Sequence, residues 1–183
     1  MKRIIDISHW NSPVDFAKLK AAGVDGVYIK CSDGVSWSDP QCQNYAIAAK
    51  AQGLAVGYYH FLEPDSDWVA QANFFKVKLY SLPKSDLMPV IDIEKDTTAD
   101  VNACIQTFAN AFGSPLMLYS YTPYIVIHKI QWNGPFWLAG YTPTMMPPSG
   151  WNVDLWQFTN ASVIDGMPHA CDESKPLTQA FVL

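Results

Sequence analysis

Positive charge is scarce in this chain: 12 Lys and Arg stand against 17 Asp and Glu, for a net charge of -5, with no basic run. Nucleic-acid binding needs a positive footprint, so that class is set aside. Long apolar runs are missing as well. No stretch approaches the roughly 20 residues of a membrane span, so no insertion into a membrane is expected. The N-terminus, Met1-Lys2-Arg3-Ile4-Ile5-Asp6, meets an acid after two isoleucines and lacks a signal-peptide core. The expectation is a chain made in the cytoplasm without an export address of its own. Cysteine is sparse and scattered (Cys31, Cys42, Cys104, Cys171), without C-x2-C spacing. A domain of this size does not need bridges, so reduced structural thiols are expected; Cys31 with Cys42 is the close pair for which a bridge stays open. The four histidines, His9, His60, His128 and His169, have no metal-ligand spacing. There is no Gly-x-Ser-x-Gly elbow, and no Gly-rich phosphate loop follows the first strand. Metal, serine-nucleophile and nucleotide chemistry therefore drop out, and no cofactor is expected.

What is present is an alternation of strands and helices. Arg3 to Ser8 reads as a first strand, Gly26 to Lys30 as a second, Ala55 to Phe61 as a third, Met88 to Ile93 as a fourth and Leu116 to Ser120 as a fifth. Between them lie helical stretches. The first is capped by Ser12 with Pro13 at its first position, the second runs from Gln41 to Gln52, the third from Ser66 to Tyr80, and the fourth is capped by Thr97 or Thr98. Such alternation is the sign of βαβ units and a parallel sheet. After Tyr121 only short apolar pieces remain, Phe136 to Ala139, Leu155 to Phe158 and Gln179 to Val182, separated by loops rich in Pro, Gly and Asn. The pattern predicts an α/β fold: an abbreviated (β/α)8-type barrel with eight strands and fewer helices, shorter than the usual barrel of about 250 residues. An open doubly wound sheet is the alternative. No repeat, low-complexity segment or linker divides residues 1–183, so a single barrel domain without a separate wall-binding module is expected.

One stretch stands out, Pro89-Val90-Ile91-Asp92-Ile93-Glu94. Side chains alternate along a strand, so Asp92 and Glu94 share a face with Val90. Two acids on the inner face of a buried strand are expensive, since desolvation penalises each charge and proximity penalises the second. Their Cα atoms stand roughly 6.5 Å apart, the scale on which paired carboxyls flank a glycosidic bond. The plainer reading is an ion-paired or capping feature at a strand end. The other strand ends weigh against it, because a barrel gathers its reacting groups there. They carry Asp6 and Ser8, Lys30 and Asp33, Tyr58 and His60, Tyr119 and Tyr121, Trp137 and Tyr141, and Trp156 beside Gln157. Aromatic side chains (7 Trp, 9 Tyr, 9 Phe) add flat faces for sugar rings. Lys30 reads as a salt-bridge partner that helps hold the acids ionised. His60 reads more readily as a hydrogen-bonded structural residue than as an acid-base group.

These residues also carry a resemblance. Asp6-Ile7-Ser8-x-Trp10, Gly26-Val27-Tyr28-Ile29-Lys30, Asp33-Gly34, Gly57-Tyr58-Tyr59-His60-Phe61, Gln71-Ala72, Asp92-Ile93-Glu94, Tyr119-Ser120, Trp137-Leu138-Ala139-x-Tyr141 and Trp156-Gln157-Phe158 occur in the order seen in glycoside hydrolase family 25. From Asp6 to about Asp172 the chain resembles the lysozymes of that family, N-acetylmuramidases common among phage endolysins and bacterial autolysins. It departs from them at Asp33-Gly34, often Glu-Gly in the family, and at Trp10-Asn11, often Trp-Gln; both would alter sugar contacts at the rim.

The resemblance implies cleavage of the β-1,4 bond between N-acetylmuramic acid and N-acetylglucosamine in bacterial peptidoglycan. It implies Glu94 as general acid, Asp92 as the carboxylate that steadies the positive charge or an oxazoline-like species, and Asp6 as a third acid. Asp172 is implied as a fourth acid in contact with substrate. Lys30, Asp33, Tyr58, His60, Tyr119, Trp137, Tyr141 and Gln157 are the expected substrate-binding set. Glu94 is expected to keep its proton while Asp92 and Asp6 stay charged. A monomer released to the cell wall by a holin-type route would follow. The rival readings are a chitinase-type barrel and a non-catalytic sugar-binding barrel.

Overall fold

The computed structural model describes residues 1–183. Nine strands occur in chain order: β1 Ile4–Ile7, β2 Gly26–Asp33, β3 Trp37–Ser38, β4 Ala55–Phe61, β5 Val90–Asp92, β6 Met117–Tyr121, β7 Phe136–Ala139, β8 Leu155–Ser162 and β9 Cys171–Pro176. Five helices accompany them: α1 Phe16–Ala21, α2 Cys42–Ala51, α3 Trp68–Ser81, α4 Val101–Phe112 and α5 Thr122–Ile127. The order around the sheet is β1-β9-β8-β7-β6-β5-β4-β2-β3, and β1 also pairs with β2. That last pairing closes eight strands into a barrel and leaves β3 as a hairpin arm on β2. The expected barrel with eight strands and few helices is therefore what the chain forms.

Several local expectations need correction. The last barrel strand is Cys171–Pro176, not Gln179 to Val182, and it runs antiparallel to both β8 and β1. The segment around Phe181 instead plugs the base of the barrel: the Met88 amide donates to the Phe181 carbonyl at 2.7 Å, and the Leu183 amide donates to the Asp86 carbonyl. Three helix starts follow aspartates, two of them where Ser12 and Thr97 or Thr98 are the expected caps. Asp15, Asp67 and Asp100 each accept the amide three residues on, at 3.1, 2.9 and 3.0 Å, and so cap α1, α3 and α4. A charged acceptor at a helix N-terminus satisfies an orphan donor and opposes the dipole as well. The short α5 was not expected from the Pro-containing sequence after Tyr121.

Alternation sorts the barrel wall into two apolar sets. Ile5, Ile7, Val27, Ile29, Val56, Ile91 and Leu118 point outward against the helices. Ile4, Tyr28, Leu87, Val90, Met117, Trp137, Leu155 and Phe181 fill the interior and form a floor. Gly57 is required there. A Cβ at that position would stand 2.3 Å from the Tyr28 ring, which lies across β4 and donates its hydroxyl to the Met88 carbonyl. Above this floor, the inward row becomes acidic. All four cysteines are buried free thiols.

Candidate active site

The inward rows end in a cavity of about 230 Å³ at the mouth of the barrel. Asp6 of β1, Asp92 of β5 and Asp172 of β9 line it together with Glu94, which follows β5. Strand register explains the gathering. Asp6 is the direct Cα partner of Asp172, and Asp92 that of Tyr119. Val90, Asp92 and Glu94 all line the cavity, as their alternation requires.

A hydrogen-bonded chain orients the first of these acids. The Gln157 amide nitrogen donates to both carboxylate oxygens of Asp6, at 3.2 and 3.0 Å. Its carbonyl oxygen accepts the hydroxyls of Tyr119 at 2.9 Å and Tyr141 at 2.8 Å. When Asp6 is ionised it only accepts, and the amide then presents its NH2 group to Asp6 and its oxygen to the tyrosines. Trp137 underlies the set, its indole N–H donating to the Ser174 hydroxyl at 3.0 Å. Asp92 has a different situation: its Oδ1 is fully buried and meets no donor from the protein. A buried acceptor without a donor is costly, and the cost falls on the ionised form of Asp92.

Burial dominates the electrostatics. It pushes the Asp6 and Asp92 carboxyls well above the usual aspartate range. The Asp172 charge adds to the rise at Asp6, against the Gln157 bond that opposes it; the Glu94 charge adds to the rise at Asp92. Glu94 and Asp172 are also raised, first by desolvation, and Glu94 further by Asp172. Lys30 pulls Asp92 and Glu94 back down. The raised pKa expected for Glu94 is thus shared by its three neighbours. All four carboxyls are raised above their usual range, because their common cavity is both dry and crowded with like charge.

Glu94 has a second distinction. It lines a neighbouring cleft of about 340 Å³, bounded by Tyr121, Pro123, Ala139 and Gly140, and shares Tyr119 and Tyr141 between the two spaces. It stands where the two clefts meet.

Lys30 and Asp33 are paired with each other at 2.9 Å, with Lys30 over the rings of Phe61 and Trp37. Tyr58 and His60 are corrections. Both point away from the cavity into the helix layer. Tyr58 donates its hydroxyl to the Pro83 carbonyl. His60 lies against Phe75 and Phe108, with Nδ1 2.9 Å from the Ser32 hydroxyl and Nε2 3.3 Å from Gln71 Oε1. Gln71 Nε2 donates to the Glu63 carbonyl, so its Oε1 accepts from His60, which therefore carries its proton on Nε2. Burial lowers the His60 pKa to about 4 and keeps it neutral, as suits a structural residue. The β4 residue in the cavity is Tyr59, which sequence reasoning missed. The strand Tyr58-Tyr59-His60 offers polar or aromatic groups to both faces, and only the neighbouring Gly57, whose missing side chain makes room for Tyr28, marks the inner row.

No group of three or more His, Cys, Asp or Glu side chains is disposed to hold a metal ion. A protein-family model, Glycosyl hydrolases family 25, matches residues 5–167. Lysozyme M1 of Streptomyces globisporus is 28% identical over 93% of the chain, and an autolytic lysozyme of Clostridium acetobutylicum is 26% identical over 92%. The chain spans 66% and 53% of the lengths of these two relatives. Among solved structures, the CTP1L endolysin is 28% identical and superposes with a TM-score of 0.82, over 96% of this chain and 66% of that one.

Proposed function

The chain belongs to glycosyl hydrolase family 25, and on that premise we propose that it is a muramidase, hydrolysing the β-1,4 bond between N-acetylmuramic acid and N-acetylglucosamine in bacterial peptidoglycan. The observation that carries this reading is the meeting of Asp6, Asp92, Glu94 and Asp172 in one cavity, with Glu94 at the junction of two clefts. A glycan lying across that junction presents its linking oxygen to Glu94. The lysozyme and endolysin names of the relatives favour the same substrate.

Glu94 acts as general acid and donates its proton to the leaving oxygen. Desolvation, and after it the Asp172 charge, raise the Glu94 carboxyl and favour its holding that proton. Asp92 and Asp6 stabilise the positive charge that develops at the anomeric carbon. Asp92, which lines the cavity with Glu94, is placed to accept the N–H of the substrate's own acetamido group and orient it toward the reacting carbon. Gln157 holds Asp6 in place, and Trp137, Tyr119 and Tyr141 supply the walls of the sugar site. Lys30 and Asp33 form a charged pair outside the cavity; Lys30 limits how far the acids are raised.

Glu94→Gln keeps the shape and removes the transferable proton. It is expected to fold like the parent and to lose nearly all release of reducing ends from purified peptidoglycan. Mass spectrometry of the parent's digest should find N-acetylmuramic acid as the new reducing sugar. Undiminished lysis by Glu94→Gln, or N-acetylglucosamine at the new end, refutes the assignment.

A further inference from the structure

A strip of aromatic rings stands beside the acid cavity and takes no part in the chemistry above. The centroids of His9 and Trp10 are 4.4 Å apart and those of His9 and Trp37 are 5.3 Å apart. Trp10 is 80% exposed and Trp37 is 40% exposed. A single exposed aromatic needs no explanation, but two exposed indoles held against one half-buried imidazole do. Their support is costly. Asp39, its side chain fully buried, accepts the His9 backbone amide at 2.9 Å and lies 2.9 Å from His9 Nδ1. The turn His9–Asn11 is stiffened by reciprocal caps: Asn11 Oδ1 accepts the Ser8 amide at 2.9 Å, and the Ser8 hydroxyl accepts the Trp10 amide at 3.4 Å. Trp37 is backed by Lys30, whose Nζ lies 5.4 Å from the ring centroid. A rigid set of exposed rings loses little entropy when a ligand settles on it.

Strand register locates the strip relative to the acids. Trp37 partners Asp33, Asp33 partners Phe61, and Phe61 partners Asp92. Three strand steps set the Trp37 backbone about 14 Å from that of Asp92. Trp10 follows Asp6 by four residues, which span at most about 14 Å. A polymer threaded over the acids reaches the rings within a few sugar units.

We propose that His9, Trp10 and Trp37 form an outer glycan platform, which holds saccharide units of the same strand beyond those in the cavity. This rests on the muramidase reading, since it is the continuity of strip and cavity that selects a glycan as occupant. The C–H faces of pyranose rings lie flat on indole, and the Lys30–Asp33 pair beside Trp37 offers hydrogen bonds to sugar hydroxyls. The Lys30 charge is already matched by Asp33, which leaves little to attract an anionic lipid surface.

Trp10→Ala and Trp37→Ala should be assayed on intact peptidoglycan sacculi and on the shortest soluble fragment that the parent cleaves. Each is expected to raise KM on sacculi roughly three- to tenfold, the range a lost aromatic contact commonly brings, with kcat unchanged. Kinetics on the short fragment should match the parent, and Trp10→Phe should restore most of the affinity for sacculi. Unaltered KM on sacculi, or equal losses on both substrates, overturns the platform. The same substitutions in a Glu94→Gln background, tested by co-sedimentation with sacculi, separate this proposal from the proposed reaction. Weaker sedimentation supports the platform even if the parent proves inactive, and unchanged sedimentation ends it.

Discussion

Asp6 and Asp172 are direct partners across the antiparallel pair of β1 and β9, so the closing strands of the barrel set two acids from opposite ends of the chain side by side. Asp172 raises the pKa of Asp6 and of Glu94, while Lys30 lowers that of Glu94. The pH profile should therefore respond in opposite senses to two substitutions. Removing a neighbouring negative charge makes Glu94 a stronger acid, so Asp172→Asn should move the alkaline limb of kcat/KM to lower pH. Lys30→Met removes the opposing charge and should move that limb to higher pH. Profiles of kcat/KM across pH 4 to 9 check both signs, and a shift in the same direction for the two variants would contradict this electrostatic account.

Gln157 joins two tyrosine hydroxyls to Asp6. Gln157→Leu leaves the buried Tyr119 hydroxyl and the Asp6 carboxylate unpartnered, at an expected cost of about 1–3 kcal/mol in urea unfolding. Because Asp6 also loses the bond that favours its charged form, kcat should fall by more than KM rises. A variant with parental kcat would show that Asp6 needs no such support.

Asp92 should be a case of function held against stability. Its folded-state pKa is raised, so the unfolded chain gives up its proton more readily. The native state is accordingly penalised as pH rises above the unfolded value of about 3.9, and is not penalised below it. Asp92→Asn should be more stable than the parent at pH 7, by ~0.5–2 kcal/mol, with the gain vanishing near pH 3. Thermal melts of both proteins at the two pH values test this, and a variant less stable than the parent at pH 7 counts against the raised pKa.

Gly57→Ala should destabilise without touching any acid. The added methyl would meet the Tyr28 ring at 2.3–2.5 Å and Leu87 at 2.9 Å, inside a filled barrel. Overpacking of this kind costs about 1–3 kcal/mol. Denaturant unfolding should show the loss, and the pH profile of the remaining activity should match that of the parent.

Much of the fold was legible because its signals are local. Strand–helix alternation up to Tyr121 and the shrinking connections after it predict the barrel, and the order of motifs predicts the family. The Asp92-x-Glu94 pair was legible for the same reason: a strand's period of two puts both on one face whatever surrounds them. Helix caps were less so. Asp15 and Asp100 act where Ser12 and Thr97 or Thr98 also fit, and the choice depends on where the chain leaves the sheet. Tyr58, His60 and Tyr59 show the limit of periodicity, which separates two faces without saying which is inner when both carry aromatic and polar groups.

By itself the sequence determined the alternation of strands and helices up to Tyr121, the pairing of two acids on one strand face, and a net charge of -5 without a basic run. Only the tertiary structure decided that β9 would turn antiparallel and bring Asp172 to Asp6, that Tyr59 rather than Tyr58 would face the cavity, and that burial would raise all four acids together. The division has a physical cause. Propensity and alternation act over a few residues, whereas desolvation and charge repulsion depend on which distant segments close over the same space.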